Sequence, residues 1–274
     1  MSLAALFEQT HKLPTIPKVV QELIDSFNND KVSVEEVTKK ISADPVMAAK
    51  LLRLANSAHY HVSRTVSSVD DAVMLLGFVA VRTLVISSGV TTSFKDVGDF
   101  DQKAFWRYSL NTAVTGRWLA KQAKQNTDLT FTVGLMHGIG QLLMRTVIPK
   151  ACMELDKSAG PLDGARARYE REALGYDFAE VGAELAARWK FPPSFVDGIR
   201  HVPYPLQKEP FQPVAGLTHI AAYLARCHDR KATAEWVRAE FPADIAVRLK
   251  LSVDVLKDMP PMTDLTAGMD DLIG

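Results

Sequence analysis

The chain has 274 residues, 47% of them apolar, with 32 basic and 32 acidic side chains. That is material for one large core or two modest lobes, and the zero balance exerts no global pull on nucleic acid or anionic lipid. Its two cysteines, Cys152 and Cys227, make neither a disulfide framework nor a CxxC pair, so both read as reduced thiols of a cytoplasmic protein.

The opening MSLAALFEQTHKLP has no basic start followed by a long apolar run, so no secretory signal is expected. No stretch approaches the ~20 apolar residues of a membrane span. Helix signals then repeat along the chain. Pro17 suits a first helical turn, and Ile16, Val19, Val20, Leu23, Ile24 and Phe27 follow at helical spacing. Ser33 and Glu36 have capping-box spacing, and Asp44 caps a helix with Pro45 just inside it. Ser68 with Asp71 opens the next helix, which Gly77 closes. Asp101 starts a long helix through Phe105, Leu110, Val114 and Trp118. Gly175 ends another, Asp177 with Glu180 caps its successor, and Pro192 and Pro193 start a further turn. Residues 203 to 213, PYPLQKEPFQP, hold four prolines and are predicted to be an extended loop. A last long helix is predicted near Val214 to Cys227.

Strand signals are nearly absent, with no clear alternating run and no hairpin turn between apolar runs. The expectation is an all-α protein of about a dozen helices. Its expected organisation is an N-terminal helical lobe over 1–97, a second helical lobe over 98–228 and a helical appendage over 229–274. Lys95 to Asp101 forms the polar junction, and the acidic end from Thr263 is expected to fray.

The sequence resembles the HDOD family (HD-related output domain) at several separated places. These are Leu13-Pro14-Thr15-Ile16-Pro17, Ile41-Ser42-Ala43-Asp44-Pro45 and the run Leu51 to Ala58, then Ala72 to Gly77 with Val81-Arg82. The second half adds Phe105-Trp106, Gly134 to Gly140, Glu172, Leu174 to Asp177, Glu180 to Ala183, Trp189 and Pro192. In order and over roughly residues 13 to 225, the pieces are specific together although none is decisive alone. The resemblance implies an all-helical, HD-domain-like fold related to metal-dependent phosphohydrolases, and a role in bacterial signal transduction.

HD enzymes hold divalent metals through a histidine, a His-Asp pair and a distal aspartate, because imidazoles bind the ion and carboxylates offset its charge. By this resemblance the first histidine position is Tyr108 and the His-Asp pair is His137 followed by Gly138. A further histidine position is Phe178, and the distal aspartate after His219-Ile220-Ala221 is Ala222. Both carboxylates are gone. The remnant that could hold an ion is a tris-histidine set of His137, His201 and His219, since three imidazoles can hold zinc. For His137, between Leu135, Met136 and Ile139, a hydrogen-bonded core histidine is the plainer account. No catalytic residue and no cofactor are therefore expected. The predicted function is a non-catalytic regulatory module acting on a signalling protein partner, with a small ligand also open. The alternative is a phosphohydrolase with an atypical metal site.

Outside that set, His59-Tyr60-His61 lies in the polar loop Ala55 to Val66. Alternate histidines chelate from an extended backbone, but an exposed loop that recognises a partner is the preferred expectation over a metal site. Arg166, Arg168 and Arg171 in GARARYER could meet phosphate, yet Glu170 and Glu172 among them point to a solvated helix face. No G-x-S-x-G elbow is present, and Gly134, Gly138 and Gly140 are read as helix-packing glycines, not a P-loop. Neither a membrane nor a nucleic acid is an expected partner.

Overall fold

The computed structural model describes residues 1–25, 33–57, 60, 62, 64–94, 97, 98, 100–269 and 272, and among them every regular element is a helix. The first part of the chain holds α1 (Leu3–Phe7), α2 (Lys18–Asp25), α3 (Val34–Ala43), α4 (Pro45–Ala55), α5 (Val69–Leu76) and α6 (Phe78–Thr92). Their starts are local. The Ser33 hydroxyl accepts from the Glu36 N–H at 3.4 Å, Asp44 Oδ1 accepts from Met47 at 3.0 Å, and Ser68 accepts from Asp71 at 3.0 Å. Each satisfies an N–H that a helix start leaves without a partner. Gly77 separates α5 from α6 at φ 82° and ψ 153°, a conformation open essentially to glycine alone. The helix α6 is buried almost all round, from Val81 to Thr91, which accounts for its apolar sequence.

The chain continues with α7 (Gln102–Gln122), α8 (Thr127–Met136), α9 (Ile139–Val147), α10 (Pro149–Asp156), α11 (Arg166–Leu174), α12 (Phe178–Arg188), α13 (Pro193–Arg200) and α14 (Pro213–Asp229). The Asp177 carboxylate and the Glu180 side chain complete a reciprocal capping box at the start of α12. At the centre α7 packs against α8 and α14, while α9 packs against α12. Two glycines set these approaches. A Cβ on Gly134 would stand 2.8 Å from Ala113 Cα, and one on Gly140 would strike the Phe178 carbonyl oxygen and come within 2.6 Å of the Gly182 nitrogen.

The chain ends in α15 (Ala234–Ala239), α16 (Ala243–Arg248) and α17 (Met262–Leu265). Phe241, Ile245 and Leu249 form a small second core with Leu217, Ile220 and Leu224 of α14. The main core runs unbroken from Leu6 and Leu23 near the start of the chain through Phe131 of α8 and Val181 of α12. The acidic end does not fray at its described apolar residues. Met269 and Leu272 are fully buried, and Thr91 Oγ1 donates to the Leu272 carbonyl at 3.0 Å. The proline-rich loop contains a short 3-10 turn at Pro205–Gln207. The helices exceed the expected dozen because pieces of four to six residues at the two ends carry little periodic signal. Among the described residues no single helix is long and apolar enough to cross a membrane.

Candidate functional site

His137 stands at the break between α8 and α9, with Gly138 beside it. Its Nδ1 lies 2.6 Å from the Gly134 carbonyl oxygen, one of the last carbonyls of α8 that lack an intrahelical partner. A carbonyl only accepts, so Nδ1 carries the proton and Nε2 keeps its lone pair. His219 on α14 repeats the arrangement, with Nδ1 2.7 Å from the Val202 carbonyl oxygen. Burial pushes the His137 imidazole down to about 4, and the nearby charge of Arg226 acts in the same direction against the Gly134 bond. Burial, with Arg226, also lowers His219. Both rings are therefore neutral acceptors near pH 7.

Tyr108, His137, Gly138, Phe178, His219 and Ala222 line one small cavity of about 40 Å³. His201 does not line it. It caps the end of α13, with Nδ1 2.9 Å from the Asp197 carbonyl oxygen, and its neighbour Val202 takes the place on the wall. The remnant tris-histidine set therefore reduces to two imidazoles. Tyr108 lies edge-on to His137 at 5.4 Å between ring centroids, and its hydroxyl accepts from Arg226 Nη1 at 2.9 Å.

Three further polar residues stand on the wall, Arg226, Asp163 and Gln141. Arg226 has no carboxylate within ion-pair distance among the described residues, and Asp163 on the same wall is already committed. Asp163 Oδ1 accepts from the Ala165 N–H at 2.8 Å and Oδ2 from Arg230 at 3.1 Å. Gln141 donates from Nε2 to the Pro161 carbonyl at 2.7 Å, which leaves its buried Oε1 with no partner among the described residues. One signal pointed to Arg226: it lies four residues beyond Ala222 on α14, hence on the same helix face. Gln141 and Asp163 come from separate segments and carry no such signal.

The two positions at which the resemblance expects carboxylates, Gly138 and Ala222, have different surroundings. A Cβ on Gly138 would stand 3.0 Å from the Phe105 ring, so an aromatic edge occupies the space into which a side chain would grow. Ala222 is buried and faces the cavity with a methyl group. Among the described residues no three His, Cys, Asp or Glu side chains are grouped so as to hold a metal ion. Two neutral imidazoles beside a guanidinium do not fit a divalent cation, because the carboxylate on the wall, Asp163, is engaged by Arg230 and the Ala165 N–H and offsets no further charge.

Behind Phe178 lies a buried ionic cluster that departs from the expected solvated face of GARARYER. Arg168 is exposed as expected, but Arg166 is 1% exposed and Glu170 is fully buried. Arg166 Nε donates to Glu170 Oε1 at 2.7 Å and Nη1 to Asp156 Oδ1 at 2.6 Å, while Arg145 holds both Asp156 oxygens at 2.7 and 2.8 Å. Glu170 Oε2 accepts the Phe178 N–H at 2.7 Å, which ties the cluster to a residue of the cavity wall. Burial pushes the Glu170 carboxyl up, and Arg166 pulls it back.

Of the loop candidates, His59 and His61 lie outside the described residues. Tyr60 is half-buried against the main core, and its hydroxyl accepts from Arg117 at 3.5 Å, so it does not stand free on an exposed loop. Asn56 closes the loop base, donating to the Val66 carbonyl and accepting from the Val66 N–H, both at 2.8 Å.

Residues 13–205 match the HDOD domain family. The chain belongs to the HDOD family. A Shewanella amazonensis SB2B protein whose name proposes a phosphohydrolase shares its fold at a TM-score of 0.82 and 34% identity, over 99% of this chain and 98% of that one. A Marinobacter aquaeolei VT8 protein whose name proposes signal transduction has a TM-score of 0.71 at 21% identity, over 97% of this chain and 59% of that one, a likeness of fold. An uncharacterized protein of Treponema pallidum (strain Nichols) is 23% identical over 82% of this chain. This HDOD chain spans less than half the length of the curated relatives it matches, 44% and 34%.

Proposed function

We propose that this HDOD protein is a non-catalytic signal-transduction module, acting by binding a protein partner, with a pocket for a small ligand where HD enzymes hold their metal. The observation that carries the reading is the pair Gly138 and Ala222. Neither has a ligand atom, and the Phe105 ring fills the space beside Gly138. HD hydrolysis needs a metal to lower the pKa of bound water and to neutralise charge on the phosphate. The cavity wall offers a guanidinium in its place, which can attract an anion but cannot activate water. Membership of the HDOD family and the signalling name of the Marinobacter relative favour the regulatory role.

The phosphohydrolase named for the 34% identical Shewanella relative is the competing reading. To separate them, the purified protein is incubated with manganese, iron or zinc and assayed on cyclic dinucleotides, nucleotides and a generic phosphodiester. No metal-dependent turnover is expected. Turnover above ~1 s⁻¹, within the ordinary enzyme range, that disappears in His137→Ala would overturn the proposal.

A further inference from the structure

We propose that the Arg226 cavity is a receptor for a tetrahedral oxyanion that still carries a proton, namely hydrogenphosphate, free or as the end group of a small monoester. The inference rests on the non-hydrolytic reading of the same site and adds the chemistry of its ligand. The size fits one such group: about 40 Å³ of partly open space holds roughly three waters at about 10–15 Å³ each.

The polarity of the wall selects the ligand. Arg226 brings a positive charge that no described carboxylate pairs, since Asp163 is held by Arg230 and the Ala165 N–H. It lines the same cavity as His137, His219 and Gln141. An anion is what such a guanidinium recognises. The other polar atoms are mostly acceptors. His137 and His219 commit their Nδ1–H to carbonyls and keep Nε2. Gln141 is 5% exposed and commits its amide N–H to Pro161, leaving Oε1 unpartnered. Tyr108 accepts from Arg226, so its own O–H remains to donate.

A fully ionised oxyanion such as sulfate satisfies the arginine but offers nothing to the three acceptors. A buried acceptor facing an anion without a proton is penalised twice, by lost hydrogen bonding and by repulsion. Hydrogenphosphate meets both demands, with unprotonated oxygens toward Arg226 and Tyr108 and an O–H toward Gln141 or an imidazole. Arg226, Pro161, Leu162 and Asp163 also line an open groove of about 320 Å³ that continues outward past Arg230. The remainder of a monoester would lie there.

The test is calorimetric titration of the full chain in phosphate-free buffer at neutral pH with inorganic phosphate, glycerol phosphate and sulfate. Saturable one-site binding of phosphate is expected, with sulfate at least roughly ten-fold weaker. Arg226→Met should weaken phosphate by roughly ten-fold or more, the loss of one charge-assisted hydrogen bond. Gln141→Leu should narrow the gap between phosphate and sulfate. Should Arg226→Met fail to melt like the parent, Ala222→Leu fills the cavity without touching its charges and should abolish binding. Glycerol phosphate binding as tightly as phosphate assigns the ligand to the ester class, and binding of phosphate alone assigns it to the free ion. Absence of phosphate binding at millimolar concentration overturns the inference, as does equal binding of sulfate or binding unchanged by these substitutions. Those results with no metal-dependent turnover leave the regulatory function standing, whereas turnover sinks that function whatever the titration gives.

Discussion

Arg166 and Arg226 are both guanidiniums of the helical protein, and their surroundings differ in burial and in pairing. Arg166 is almost completely buried and meets Glu170, Asp156 and the Ala159 carbonyl within 2.7 Å. Arg226 is half-buried and meets the Tyr108 hydroxyl, with no carboxylate beside it. A buried charge must be paired, so Arg166 belongs to the architecture. A cation at a cavity wall that keeps some contact with water tolerates the absence of a partner and stays available to one from outside. The comparison teaches that burial and pairing together, more than residue type, separate a structural arginine from a recognising one.

The largest effect should come from breaking the paired cluster. Arg166→Met leaves the fully buried Glu170 carboxylate without its counter-charge, while Asp156 keeps Arg145, and should cost about 3–5 kcal/mol, read from urea unfolding. Replacing both partners, Arg166→Met with Glu170→Leu, should recover much of that loss, because an apolar pair of similar volume needs no counter-charge. If Arg166→Met cost no more than the same change at Arg226, the distinction between the two arginines would fail.

Next in size is the placing of carboxylates at Gly138 and Ala222. Gly138→Asp drives its Cβ into the Phe105 ring, 3.0 Å away, and should destabilise by about 1–3 kcal/mol. Combined with Ala222→Asp it should still bind no manganese, because Arg226 remains in the wall. Elemental analysis of the purified double variant gives the answer, and a stoichiometric metal would count against the cavity geometry drawn here.

The acid side offers a third probe. His137 falls from its ordinary 6.5 to about 4 in the folded protein. Between those values the unfolded chain binds the extra proton and the folded chain does not. Stability therefore declines as pH drops below 6.5 and this loss is complete only below about 4. Urea midpoints measured across that window should slope downward with acid, and the slope should flatten in His137→Asn.

The smallest stability change is expected at Arg226 itself. Arg226→Met removes one hydrogen bond from a charged but half-exposed donor and should cost about 1.5 kcal/mol, the low end for such a bond. The same variant should raise the titration midpoints of both His137 and His219, whose imidazoles the Arg226 charge now holds down. Imidazole chemical shifts followed against pH report this directly, and unmoved midpoints would place Arg226 too far from the rings to serve as their common neighbour.

Much of this protein was legible along the chain because helix ends are local contracts. Ser33, Asp44, Ser68, Asp101 and Asp177 each satisfy N–H groups no more than three residues away, so their sequence spacing is already their geometry. Gly77 and Gly175 mark helix ends for a similar reason, since their positive φ angles suit few other residues. The assignment of Tyr108, His137, Gly138, Phe178 and Ala222 to one family site required no coordinates either, and the structure gathers all five on one wall.

Tertiary structure alone decided what that wall contains. His201 and His219 looked equivalent as histidines, but the end of α13 keeps one off the cavity and α14 brings the other onto it. Arg166 and Arg168 stood two residues apart in one charged run, and the packing of α11 buried the first and exposed the second. The physical reason is range. A cap is settled by hydrogen bonds inside one turn, whereas the pairing of a charge depends on where helices cross, and those crossings rest on close backbone contacts at Gly134 and Gly140. A linear pattern shows that a glycine is present, but not which helix it admits or which arginine is left without a counter-charge.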